Sequence, residues 1–87
     1  MIDTIFNVRR YIAEYSEETE ELTAEYDLAS FDLVRFQAEL NEPNSEDPMF
    51  DCYPIQEINV IFIEHYMSHK ISWDFNKNSY FVEAHCI

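Results

Sequence analysis

Glycine is absent from this 87-residue chain. Hairpins of the Asn-Gly type and glycine helix caps are therefore unavailable, and no glycine-rich loop can form. Positions with positive φ are expected to use Asn or Asp, with Asn7, Asn41, Asn44, Asn76 and Asn78 as candidates. Cysteine is scarce as well. Cys52 and Cys86 have no short spacing, which matches neither a disulfide framework nor a zinc pair and suits a reducing cytosol. Basic residues number five against eighteen acidic ones, for a formal net charge of −13. Phosphate binding needs a basic patch, so direct nucleic-acid binding is excluded, and an anionic membrane surface with it. Met1-Ile2-Asp3-Thr4 lacks the basic region and apolar run of a signal peptide, and no apolar stretch reaches membrane-spanning length. The expectation is a soluble, cytoplasmic protein.

What the chain does have is aromatic: seven Phe, six Tyr and one Trp. Each ring can bury roughly 150–250 Å², so a single domain over 1–87 can close its core without disulfides or metal. Carboxylates at this density repel one another and lower the stability of the compact state. Solubility alone asks for less charge than this. The natural partner is cationic.

Residues 5–15 read as a strand, in which Tyr11, Ala13 and Tyr15 alternate with Ile12 and Glu14. After the polar break at Ser16-Glu17-Glu18-Thr19, residues 20–28 alternate again. Leu22, Ala24, Tyr26 and Leu28 take one face; Glu21, Thr23, Glu25 and Asp27 take the other. The two runs form an antiparallel hairpin. Ser30 is the expected N-cap of a helix running to about residue 41, with Asp32 in its first turn and Leu33, Phe36 and Leu40 on one side. Pro43 and Pro48 break residues 41–51 into a loop. Pro54 suits the first turn of a second helix with Ile55, Ile58, Phe62 and Tyr66 as its stripe, although Val60, Ile61 and Ile63 also fit a strand. Residues 69–75 alternate through Ile71, Trp73 and Phe75, Asn76–Ser79 turns, and 80–86 completes a second hairpin. The fold class is α+β. A four-stranded antiparallel sheet made of two hairpins carries one or two inserted helices on one face.

No catalytic, cofactor or metal-binding residues are assigned. His65 and His69 share helical spacing but lack the His-Glu-x-x-His pattern, and read as polar residues at a helix end. Acid–base catalysis needs one desolvated carboxyl inside a pocket, and no nucleophile motif accompanies the many carboxylates. The negative field around Cys52 suppresses its thiolate. An enzyme is not expected. The acidic row is the lead: Glu14, Glu17, Glu18, Glu20, Glu21, Glu25 and Asp27 on the first hairpin, Asp74 and Glu83 on the second. Merged on one sheet, they make an acidic surface with embedded rings, fit to steer a cationic partner. The plain alternative is a solvated face whose charge deters strand aggregation.

Phe50-Asp51-Cys52, His65 to Ile71, Asn78 to Val82 and the hairpin Tyr15 to Glu25 resemble the cloacin-type immunity proteins, in matching order. The immunity proteins of contact-dependent growth inhibition systems are similarly small. Members of the cloacin-type family inhibit ribonuclease bacteriocins with a four-stranded antiparallel sheet of acidic and aromatic side chains. The resemblance implies an antitoxin that binds a basic cognate toxin nuclease domain and blocks its access to RNA. It implies partner-binding roles for Glu20, Glu21, Glu25, Trp73, Asp74, Tyr80 and Glu83, and a specificity role for Cys52. Glu14, Glu18 and Asp27 join them as members of the acidic row. Two departures are visible: the family's second-strand glycine is Ala24 here, and residues 30–63 are more helical. The rival reading is a nucleic-acid mimic that occupies a DNA- or RNA-binding protein.

Overall fold

The computed structural model describes residues 7–86. Strand β1 (Val8–Ser16) turns back into β2 (Leu22–Asp27), followed by helix α1 (Leu33–Glu39), strand β3 (Tyr53–Pro54), a 3-10 turn over Glu57–Asn59 continuing into helix α2 (Val60–Glu64), and strand β4 (Asn78–Cys86). The sheet order is β2-β1-β4-β3, antiparallel throughout, and the α+β class with two short helices is what the structure shows. Ile5 and Phe6, read as the start of the first strand, lie outside the described residues.

The long register is between the two ends of the chain. β1 pairs with β4 along its whole length, from Val8 opposite Cys86 to Ser16 opposite Asn78. β1 is therefore central, with the β1–β2 hairpin on its other side. A bulge between Glu14 and Tyr15 shifts the pairing, so that Leu22 lies opposite Tyr15. That places Leu22 on the face of Glu25 and Asp27, against the simple alternation of residues 20–28.

The second hairpin is a correction. Residues 69–75 form no strand; the third strand is the two-residue Tyr53–Pro54, paired with Val82 and Phe81. Ile71 is buried, and Trp73 stacks on Phe75 at 5.7 Å and meets the Tyr80 ring edge-on at 4.8 Å. Their alternation serves packing against the core, without a ladder of backbone hydrogen bonds. Pro54 has no N–H to give and sits on an edge strand, where none is needed.

Both helices also begin later than expected. Asp32 is the N-cap of α1, accepting from the Arg35 amide at 3.2 Å, while Ser30 stands at φ 56°. A capping box of Gln56 and Asn59 opens the second helical segment, and Pro54 lies outside it. Its inward side is Ile55, Asn59 and Ile63; Ile58 is 83% exposed, contrary to the expected stripe. Among the described residues, the left-handed positions are Glu20, Ser30, Asn41 and Met49, so three of these four fall on residues other than Asn or Asp. At Glu20 the turn is closed by its amide on the Ser16 carbonyl, and Met49 is fully buried with its amide on the Asp47 carboxylate.

Ile12, Leu33, Phe36, Met49, Ile55, Ile63, Ile71, Tyr80 and Val82 form the core on one face of the sheet, where both helices pack. Phe36 sits at its centre, within 4.9 Å of the Phe62 and Tyr66 rings. The opposite face carries Arg9, Tyr11, Ala13 and Tyr15 of β1, with Phe81, Glu83 and His85 of β4 beside them. Among the described residues, no helix lies over that face.

Candidate functional site: the open face of the sheet

Strand alternation sends Tyr11 and Tyr15 to the open face, and the β1–β4 register sets Glu83 beside them. Each phenol donates to one carboxylate oxygen of Glu83: Tyr11 to Oε1 at 3.1 Å and Tyr15 to Oε2 at 2.9 Å. The hydrogen bond to Glu83, with burial second, pushes the Tyr15 phenol up to about 12. Burial, then Glu83, raises Tyr11 as well. Both phenols are thus protonated donors at neutral pH, and Glu83 is held in place by neutral partners. Its charge stays uncompensated, since no ion pair of the described residues includes it.

Around this carboxylate the face dips into a cleft of about 320 Å³. Tyr15 and Phe81 form its walls, meeting edge to face at 5.7 Å. Glu83, Glu17 and Glu20 supply negative charge, and the Ser79 hydroxyl donates to Glu17 at 2.6 Å. Cys52, next to β3, closes one side. Burial, and then Glu83, raises its thiol, which keeps it protonated and unreactive at neutral pH.

Farther along the same face, Arg9 lies with its guanidinium carbon 4.3 Å from the centre of the Tyr11 ring. It bonds Glu25 at 2.8 Å and Asp27 at 2.6 Å. Glu25 and Asp27 are therefore partly neutralised within the chain. Among the described residues, Glu17, Glu18, Glu20 and Glu21 at the hairpin tip are all exposed and make no ion pair.

The structure brings Glu20, Glu25, Asp27, Cys52 and Glu83 to one face, with Glu18 and Glu21 on the tip at its edge. It separates the others. Glu14 belongs to the core side, accepting from Thr23 at 2.6 Å and Tyr26 at 3.5 Å. Tyr80 is 1% exposed and fills the core, its hydroxyl accepting from the Asp74 amide at 3.0 Å. Trp73 packs on that ring and donates to Glu64 at 3.2 Å, while Asp74 accepts from the Asn76 and Lys77 amides to shape the turn before β4. Trp73, Asp74 and Tyr80 thus build the opposite side of the molecule. Tyr11, Tyr15 and Phe81 were not singled out from the sequence, although their alternation with Ile12, Glu14 and Val82 carried the signal.

Helix α2 ends at Glu64, so His65 and His69 do not share a helical face; His65 Nδ1 lies 2.7 Å from the Ile61 carbonyl. Among the described residues, no group of three His, Cys, Asp or Glu side chains is placed to hold a metal ion. No helix among them is long and apolar enough to cross a membrane.

Fold and site together define a small α+β protein with one helix-covered sheet face and one open face of rings and carboxylates. The chain belongs to a family described as a domain of unknown function (DUF7683), whose model matches residues 9–83. That match spans both helices and reaches into all four strands. No curated protein and no solved structure shows significant similarity to the chain.

Proposed function

We propose that this protein is an immunity protein that binds a basic bacterial toxin nuclease domain through the open face of its sheet. The observation that carries the reading is the interleaving of fixed carboxylates and rings on that face, with Glu83 held between Tyr11 and Tyr15. Charge steers a cationic partner and sets its orientation, while rings exclude water and hold it once docked. The resemblance to cloacin-type immunity proteins adds the nuclease as the partner and RNA as the substrate it is kept from. Inhibition in the cytoplasm then needs no covalent step: the bound acidic domain covers the nuclease and repels phosphate.

Co-expression with the product of the neighbouring gene, affinity purification and an RNA cleavage assay test this. A basic C-terminal domain that co-purifies, is inert in the complex and cleaves RNA once separated is the expected result. A neighbouring product that neither binds nor cleaves overturns it. Capture of several unrelated DNA- or RNA-binding proteins with comparable affinity indicates a nucleic-acid mimic instead, because an immunity protein prefers one cognate partner.

A further inference from the structure

We infer that the cleft between Tyr15 and Phe81 is a receptor for a single arginine side chain presented by the basic partner. The inference deepens the proposed function and rests on the same face, but it concerns one contact with its own chemistry. A carboxylate offers about four acceptor sites, and the phenols of Tyr11 and Tyr15 take one on each oxygen of Glu83. The Cys52 thiol, a weak donor, takes a third site, which leaves one free and a second that a guanidinium N–H can win from the thiol. Those two oxygens match the paired N–H groups of a guanidinium, which binds carboxylates in a planar fork. The phenols also hold the carboxylate in a single orientation before any partner arrives, which lowers the ordering cost of binding.

The walls suit the rest of that side chain. Tyr15 and Phe81 present ring surface to the cleft, and a guanidinium or its methylene stem packs well on such surface. Glu17 and Glu20 add negative charge at the rim. A volume of about 320 Å³ is at the small end of ligand pockets, which favours one side chain over an extended ligand. The same face already solves this problem once with its own residue: Arg9 lies over the Tyr11 ring while bonding Glu25 and Asp27. Ring, carboxyl oxygens and guanidinium meet there, with Arg9 taking one oxygen from each of two carboxylates, and the Tyr15 cleft sets a ring beside both oxygens of Glu83. Lysine fits less well, because its compact, strongly hydrated ammonium cannot bridge both oxygens in one plane.

The test is an NMR titration of the full-length, nitrogen-labelled chain with N-acetyl-arginine methylamide, and separately with its lysine counterpart. Saturable shifts centred on the amides of Tyr15, Phe81 and Glu83 are expected. The arginine probe should bind about two- to fivefold tighter than the lysine probe, the range for a partly exposed charged contact. Glu83→Gln, which keeps shape and loses charge, should weaken the arginine probe by about fivefold. Should that variant fail to fold, Glu20→Gln on the exposed rim should weaken it by about twofold. Equal response to both probes, shifts confined to the hairpin tip, or unchanged affinity in the folded variant overturns the inference. A chain that ignores arginine yet still captures and silences a nuclease leaves the proposed function standing without this contact. A chain that takes arginine in the cleft but captures no nuclease keeps the contact and loses the proposed function.

Discussion

Arg10 is a basic residue that the charge count would assign to the surface, yet it is only 7% exposed. Its guanidinium donates to the carbonyls of Met49 at 2.7 Å and Pro48 at 2.8 Å, and lies 4.4 Å from the centre of the Phe31 ring. It ties the long loop leading to Cys52 onto β1. Replacing it with Ala leaves two carbonyls without this donor and removes the packed stem. The expected loss is about 3 kcal/mol, read as a lower urea midpoint. Arg10→Lys keeps charge but cannot fork between both carbonyls, and should recover only part of the loss. Equal stability of all three proteins would show that the loop is held by other contacts. Tyr15 gives a residue-scale pH dependence. Its folded phenol titrates at about 12, above the ordinary tyrosine value, so the folded state keeps a proton that the unfolded chain releases. The stabilisation is therefore complete below pH of about 10 and is lost as pH rises towards about 12. Tyr11, Tyr26 and Tyr53 are raised as well, so an ultraviolet titration should show several late-ionising tyrosines, of which those bonded to Glu83, Tyr15 and Tyr11, move earlier in Glu83→Gln while Tyr53 does not.

At the scale of elements, the β1–β2 hairpin shows what a chain without glycine does at a tight turn. The Glu20 amide donates back to the Ser16 carbonyl at 2.7 Å, the Ser16 hydroxyl accepts from the Glu18 and Thr19 amides, and Glu20 then stands at φ 61°. A side chain in that left-handed position costs energy that glycine avoids. Glu20→Gly should therefore raise unfolding free energy by about 0.5–1 kcal/mol, offset in part by greater freedom of the unfolded chain. A lower melting temperature would mean that the Glu20 side chain stabilises the turn more than its backbone strains it. The hairpin itself was legible, because period-two alternation on both sides of a polar break is a local signal. The third strand was not. Tyr53–Pro54 is too short for any periodicity, and the run at Ile71, Trp73 and Phe75 alternates for packing on Tyr80 instead. Pairing of β4 with β1 is equally remote from local pattern, since it joins residues more than sixty positions apart along the chain.

For the whole molecule, what matters is where the charge sits. Three of the five basic side chains are engaged internally: Arg9 with Glu25 and Asp27, Arg35 with Asp32, and Arg10 on loop carbonyls. At the hairpin tip Glu17, Glu18, Glu20 and Glu21 are exposed with Lys77 as a neighbouring cation, so acid outnumbers base beside the open face. The sequence row of acids made that surface legible in kind, while Glu14 and Asp74 fell elsewhere because a strand's two faces and a capped turn look alike in composition. This distribution predicts which substitutions alter association with a nuclease captured through this protein. Glu20→Lys and Glu21→Lys should each slow association by about three- to tenfold at low salt, with the effect shrinking as salt screens the field. Dissociation should change less, since rim charge acts mainly on encounter. Glu57→Lys makes the same change of charge on the helical side, beside Ile61 and Trp73, and should leave the association rate nearly unaltered. Stopped-flow association at two salt concentrations decides the matter. A Glu57 variant as slow as the tip variants would mean that net charge, not the open face, guides the partner, and the docking side would then have to be sought among the helices.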